Sequence, residues 1–341
     1  MVRARYFTRL VPLLLGVIGG ITSCDNHEDY NRATTLTEFR FTLLPCENAN
    51  DADIDNEDEE STRFVNTSGY ANYTPGFEYG DSVGIFPNGG YQIPFPLPIA
   101  PGDPPNATIT SVVAQGWMTR NDTLYITYMP FNFYNRHYDR IPWDYRKIQR
   151  ITAHNSYAHG APLAFFASDT LSADSSKFQA QMRHMGVWLR VRVKNLPVNG
   201  PWAKMVIAAQ NNAFTSHGYW HLFDVDNGQP FEPATPAAKR DYITLMIDNL
   251  ARGATQVLNM HMVLAPCDLE GQTVTCYMTT NTGVTYSCQY PIPAGTGLWE
   301  SNTAHDLNIQ GPWTMQTLPA PYQNPWEEDE TFMGVAVPDF P

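Results

Sequence analysis

The groups through which this chain could do chemistry are its cysteines, histidines and acids, and their spacing limits what each set can do. Cys46, Cys267, Cys276 and Cys288 are four thiols that could pair outside the cytoplasm, and four allow three connectivities. Cys276 and Cys288 sit in neighbouring strand-like runs around Asn281-Thr282-Gly283, which makes them candidates for a cross-strand disulfide. Zinc is the rival use, but there is no Cys-x-x-Cys pair. His217 and His221 are separated by Gly218-Tyr219-Trp220, a turn or strand rather than the helix that would put both rings on one face. His154, His159 and His184 are scattered. Asp51, Asp53 and Asp55 alternate as in a calcium loop, yet Asn56 and Thr62 stand where such a loop needs Gly and Glu. There is no His-Glu-x-x-His, Gly-x-Ser-x-Gly, P-loop or Gly-x-Gly-x-x-Gly, and no carboxylate pair is singled out for glycoside hydrolysis. The expectation is a protein that is not an enzyme and holds no cofactor and no metal.

The fifth cysteine has a different setting. Arg3, Arg5 and Arg9 precede an apolar stretch from Leu10 to Ile21 that is too short to span a bilayer and fits a signal peptide. It ends in Ile21-Thr22-Ser23-Cys24, which resembles the lipobox of bacterial lipoproteins. That resemblance implies cleavage before Cys24 and acylation of its thiol, including palmitate. Several acyl chains together, at ~0.8 kcal/mol per buried methylene, hold a protein firmly to a membrane. Asp25, Glu28 and Asp29 then resemble the acidic tether that sends some lipoproteins to the cell surface.

Charge narrows the partners. The chain has 21 basic and 34 acidic residues, and loss of residues 1–23 removes three arginines and no acid. An exported chain with such an acidic excess is a poor ligand for nucleic acid, which needs clustered Lys and Arg. The run from Glu47 to Glu60 carries eight carboxylates and reads as a solvated loop.

Between these features the pattern is that of strands. Leu36–Leu44 alternates Phe39, Phe41 and Leu43 against Glu38, Arg40 and Thr42. In the 187–193 run Val187, Leu189, Val191 and Val193 should face a core while Trp188, Arg190 and Arg192 face out. Further runs lie at 82–86, 124–128, 203–209, 242–247, 257–264, 274–278 and 284–290. Twenty-seven prolines and 23 glycines between short strands favour all-β sandwiches over helices. Pro94–Pro105 reads as a loop rather than a central strand. Ser175–Met185 reads as a short helix.

Several of these pieces together resemble a known family. Phe77-Glu78-Tyr79-Gly80-Asp81-Ser82-Val83-Gly84-Ile85-Phe86, Tyr128-Met129-Pro130-Phe131-Asn132, and Phe178-x5-His184-Met185 running into Leu189-x-Val191-x-Val193-x-Asn195 are similar in order and spacing to motifs of the Bacteroidales fimbrillin-like proteins, the subunits of type V pili. The resemblance implies two tandem transthyretin-like β-sandwich domains after a lipoprotein signal peptide. The boundaries are 1–23 for the signal, 24–34 for a tether, 35–173 and 174–325 for the domains, and 326–341 for a tail.

It also implies assembly by strand exchange, in support of adhesion. A protease cuts after an Arg, a first strand leaves its own groove, and a strand from another subunit fills it. Arg63, after the acidic run, and Arg40, inside the first strand, are the candidate processing sites, and Thr331–Val337 is a candidate donor strand. The partners would be other subunits, the outer membrane through lipid on Cys24, and a host surface or glycan. The alternative is a carbohydrate-binding surface lipoprotein, on the strength of Tyr125, Tyr128, Phe131, Phe133, Tyr134, Tyr138, Trp143 and Tyr145 in one short span.

Overall fold

The computed structural model describes residues 36–48, 64–66, 73–87, 92–114, 122–128, 141–145, 149–152, 163–171, 177–222, 231–251 and 257–323. Among the described residues the regular structure is β-strand with two single-turn 3-10 helices, at 236–238 and 320–322. The all-β expectation therefore holds. In chain order the strands are β1 (Leu36–Leu43), β2 (Glu47–Asn48), β3 (Phe64–Asn66), β4 (Tyr73–Pro75), β5 (Ser82–Pro87), β6 (Ile93–Pro96), β7 (Thr108–Ala114), β8 (Thr123–Tyr128), β9 (Ile141–Asp144), β10 (Gln149–Ile151), β11 (Phe165–Thr170) and β12 (Lys177–His184). They continue as β13 (Val187–Val193), β14 (Trp202–Ala208), β15 (Phe214–Thr215), β16 (His217–Trp220), β17 (Phe231–Pro233), β18 (Lys239–Arg240), β19 (Tyr242–Leu250), β20 (Leu258–Leu264), β21 (Cys267–Asp268), β22 (Thr273–Thr280), β23 (Thr285–Pro291), β24 (Leu298–Trp299), β25 (Thr303–Ile309) and β26 (Thr314–Gln316).

Seven strands form one sheet in the order β6-β5-β8-β11-β12-β1-β7. The sheet wraps onto itself. Phe95 of β6, at one end of the order, lies 6.2 Å from Phe39 and 5.6 Å from Phe41 of β1, near the other end. The enclosed core takes Val83 and Ile85, Leu124 and Ile126, Phe165, and Phe178, Ala180 and Met182. Pro94 and Pro96 sit on edge strand β6, where a missing backbone N–H costs least.

The Ser175–Met185 segment is not a helix. Lys177–His184 is β12, exposed and buried in strict alternation. Phe178, Met182 and Met185 have helical spacing, but Phe178, Ala180, Met182 and His184 have strand spacing. The backbone hydrogen bonds offered by β1 on one edge and β11 on the other select the latter.

A second core lies between the sheets β10-β19-β14-β22-β23-β26 and β2-β25-β13-β20. Val187, Leu189, Val191 and Val193 face it from β13, as their alternation requires. The opposite face of β13 departs from expectation: Trp188, Arg190 and Arg192 are buried as well. A further layer covers that face. Trp188 and Val263 pack with Ile141, Trp143, Tyr145, Phe166 and Trp220 in a third cluster that joins the two larger cores. Gln149 fixes this layer, since its side-chain amide donates to the Val263 carbonyl at 2.6 Å and accepts from the Val263 N–H at 2.8 Å. A side chain thereby completes the edge of β20, which would otherwise present unpaired backbone groups.

Candidate functional site

Strand β1 is the element with the most unusual position. It comes first among the described residues yet lies sixth of seven in its sheet. It pairs in parallel with β12 from Glu38↔Lys177 to Leu43↔Met182, and antiparallel with β7 from Leu36↔Ala114 to Thr42↔Thr108. Phe39, Phe41 and Leu43 are essentially fully buried. Phe39 lies 5.9 Å from Phe41 and 5.3 Å from Phe178, ring centre to ring centre. Burial of three such side chains contributes about 6 kcal/mol in all. The other face of β1 is wet. Glu38 and Lys177 form a 3.4 Å ion pair with both side chains largely exposed, and Arg40 is exposed. Without β1, two strand edges would lose their hydrogen-bond partners above an apolar slot shaped for two Phe and one Leu.

The chain then crosses between the cores. After Leu44 the next strand, β2, lies parallel to β25 in the second assembly. The segment before residue 49 thus supplies a strand to each core. Arg40 has paired backbone on both edges, so a protease that needs an extended, unpaired substrate has no access to it while β1 is seated. Arg63 lies outside the described residues, immediately before β3. Cys24, the Asp51–Asp55 run and the Thr331–Val337 tail lie outside them too.

The base of the tail is fixed to a fourth cluster, with Val206, Ala208 and Tyr242, on the face of the six-stranded sheet away from the second core. Tyr322 lies 4.8 Å from Tyr242 and 5.6 Å from Tyr277, and its hydroxyl donates to Asp241 at 3.2 Å. Burial and the adjacent Asp241 carboxylate push the Tyr322 hydroxyl up to about 12. Lys204 Nζ donates to the carbonyls of Tyr322 and Gln323.

Two of the three segments singled out for their order meet at Tyr128. Gly80 adopts φ +88°, a left-handed conformation that favours glycine, in the turn before β5. Asp81 closes that turn by accepting from the Glu78 N–H at 2.7 Å, and it also accepts the Tyr128 hydroxyl at 2.5 Å. Phe77 packs edge-on to the same Tyr128 ring at 4.9 Å. These residues build a corner of the first core.

Cys276 and Cys288 are directly opposite on β22 and β23, and in this structure both are thiols. Burial pushes the Cys276 and Cys267 thiols well up, so both stay protonated and are poor nucleophiles and metal ligands. His217 Nδ1 and Ser216 Oγ are 2.9 Å apart, and His221 Nε2 contacts Glu232 at 2.9 Å, so each histidine has a local partner. Among the described residues no group of three metal-ligating side chains comes together. Of the aromatic span, Trp143 and Tyr145 are buried in the third cluster, while Tyr125 and Tyr128 pack against cores. Phe131, Phe133, Tyr134 and Tyr138 lie outside the described residues, as do His154 and His159.

No family model matches the chain. No curated protein matches it either. Among solved structures it is similar to a "putative cell adhesion protein" of Bacteroides ovatus, at 13% identity and TM-score 0.45, over 84% of this chain and 97% of that one. A protein of Bacteroides uniformis with the same description overlaps at 11% identity and TM-score 0.45, over 70% of this chain and 91% of that one. A fimbrial assembly protein of Parabacteroides distasonis overlaps at 9% identity and TM-score 0.36, over 83% and 95% respectively.

Proposed function

We propose that this protein is a surface-exposed, lipid-anchored pilus subunit that supports adhesion and assembles by protease-triggered strand exchange. The observation that carries the reading is the seat of β1, a strand from the start of the chain held between β12 and β7 with a dry face and a wet face. A strand so placed can be replaced by another extended segment that offers apolar residues at alternate positions, because the backbone pairing is independent of sequence. Cleavage after Arg63 would release β1, β2, the acidic run and the lipid on Cys24 together. The Thr331–Val337 segment would be the donated strand, projected from a base that Tyr322 holds on the fourth cluster.

The same reading places Cys24 at an outer membrane and gives the chain a tether at 24–34, two sandwich domains and a tail from 326. Those domains are 35–173 and 174–325, with β12 pairing across that boundary to β1 and β11. Cys276 and Cys288 are the pair it would oxidise on export, with two electrons and two protons passing to an exported disulfide donor.

Dilute trypsin on the full chain tests the assembly step, followed by an unheated denaturing gel and sequencing of the new N-terminus. A cut after Arg63 with a ladder of detergent-resistant multimers is expected. An uncut protein, or one that is cut and stays monomeric, removes the stalk-subunit reading.

A further inference from the structure

Strands β11 and β12 pair only at Phe165↔His184 and Phe166↔Arg183. Beyond that point they part: Ala167–Thr170 keep β8 as their neighbour, and Lys177–Met182 keep β1. A cleft of about 680 Å³ opens where a regular hairpin would have continued, within the usual size range of small-molecule sites. Asp169 stands on one wall, and Gln179, Gln181 and Arg183 stand on the other. Glu300 and Ser301, from the turn between β24 and β25, also line it.

Two polar atoms buried in this lining have no partner, His184 Nε2 and Ser301 Oγ. The His184 ring is 1% exposed and held edge-on between Phe165, at 5.0 Å, and Trp188, at 6.0 Å. Its Nδ1 lies 2.9 Å from the Gly186 carbonyl, which can only accept, so Nδ1 carries the proton and Nε2 presents a lone pair. Burial lowers the ring's proton affinity to about 4 and keeps it neutral. A buried acceptor without a donor costs ~1–3 kcal/mol.

We propose that this cleft binds a neutral saccharide of roughly one to three sugar units. Each sugar hydroxyl both donates and accepts. The lining supplies acceptors in Asp169 and Glu300, and donors in Arg183, Gln179 and Gln181. One cation against two carboxylates does not favour a multiply charged ligand, and buried Phe166 and Met185 give an apolar surface for the C–H face of a ring. The cleft uses the edge of β12 opposite the one β1 occupies, so the inference stands whether or not subunits exchange strands.

The test is calorimetric titration of the full chain, in a detergent without a sugar headgroup, with methyl glycosides of glucose, galactose, mannose, fucose and N-acetylglucosamine and with their short oligomers. Saturable binding is expected for at least one. Asp169→Asn and Gln181→Ala, both at exposed positions, should each weaken it roughly tenfold with an unchanged melting temperature. Absence of binding up to about 10 mM overturns the proposal. So does binding that survives the Asp169→Asn/Gln181→Ala double change, or an extended peptide that occupies the cleft in place of every sugar.

Discussion

The two large cores each have a parallel strand pair, and the pairs differ in what lies on their second face. In the first core β1 runs parallel to β12, and across that pair Glu38 and Lys177 meet in water. In the second core β13 runs parallel to β25, and across that pair Arg190 meets Asp306 with side chains only 5% and 12% exposed. The Arg190 guanidinium binds Asp306 through Nε at 2.6 Å and through Nη2. An exposed ion pair contributes little, whereas breaking a buried one strands a charge. Strand β1 is thus held mainly by one apolar face and its backbone, while β25 is fixed from both faces. The strand from early in the chain is the one whose side chains are buried on a single face.

The largest effect expected from breaking this contrast is in the second core. Val191→Asp puts a charge without a partner at a fully buried position between the two sheets, and should abolish cooperative unfolding of that core. A folded, soluble variant with wild-type near-UV circular dichroism would contradict the register described for β13. Asp306→Ala should cost about 3–5 kcal/mol by leaving Arg190 buried and unpaired, as read by denaturant melts. The corresponding change in the first core, Lys177→Ala, should cost about 0–1 kcal/mol. Equal costs for the two would remove the distinction between the pairs.

A pH series sharpens the comparison at smaller amplitude. His184 binds its proton near pH 4 in the folded chain, against an ordinary value of 6.5, because burial disfavours the charged ring. The unfolded chain therefore binds more protons between those values. The His184 contribution is complete above about pH 6.5, is lost as pH falls toward 4, and levels off below that, a loss of about 2 kcal/mol at pH 5. His305, in the second core, shifts the same way. Melts at pH 7 and pH 5 should show the loss, and His184→Gln should reduce it by about half, since His305 still titrates. An unchanged pH dependence in that variant would rule out His184 as a source.

How much of this was legible in the sequence depended on whether a residue's role is local. The alternation in 36–44 and 187–193 assigned Phe39, Phe41, Leu43 and the four β13 residues to cores correctly, because strand side chains alternate by geometry alone. The same rule could not say that Trp188 and Arg190 are buried too, since Trp188 is covered by Ile141, Trp143, Tyr145 and Trp220 and Arg190 meets Asp306 of β25. Ser175–Met185 satisfied two periodicities at once, and only neighbours distant in sequence chose between them. Within the candidate saccharide cleft, His184 stood out only as part of a family-like run, because its unsatisfied nitrogen is a product of tertiary packing.

The sequence by itself determined the β character of the chain, the positions of nine of its strands, the acidic balance and the lipobox-like Cys24, all of which rest on composition and short-range pattern. Only the tertiary structure decided that β1 sits between β12 and β7, that a second layer covers β13, and that β11 and β12 part to leave a cleft. Strand pairing joins backbone groups that are alike at every residue, so which edges meet is settled by the packing of whole faces and not by any local run of side chains.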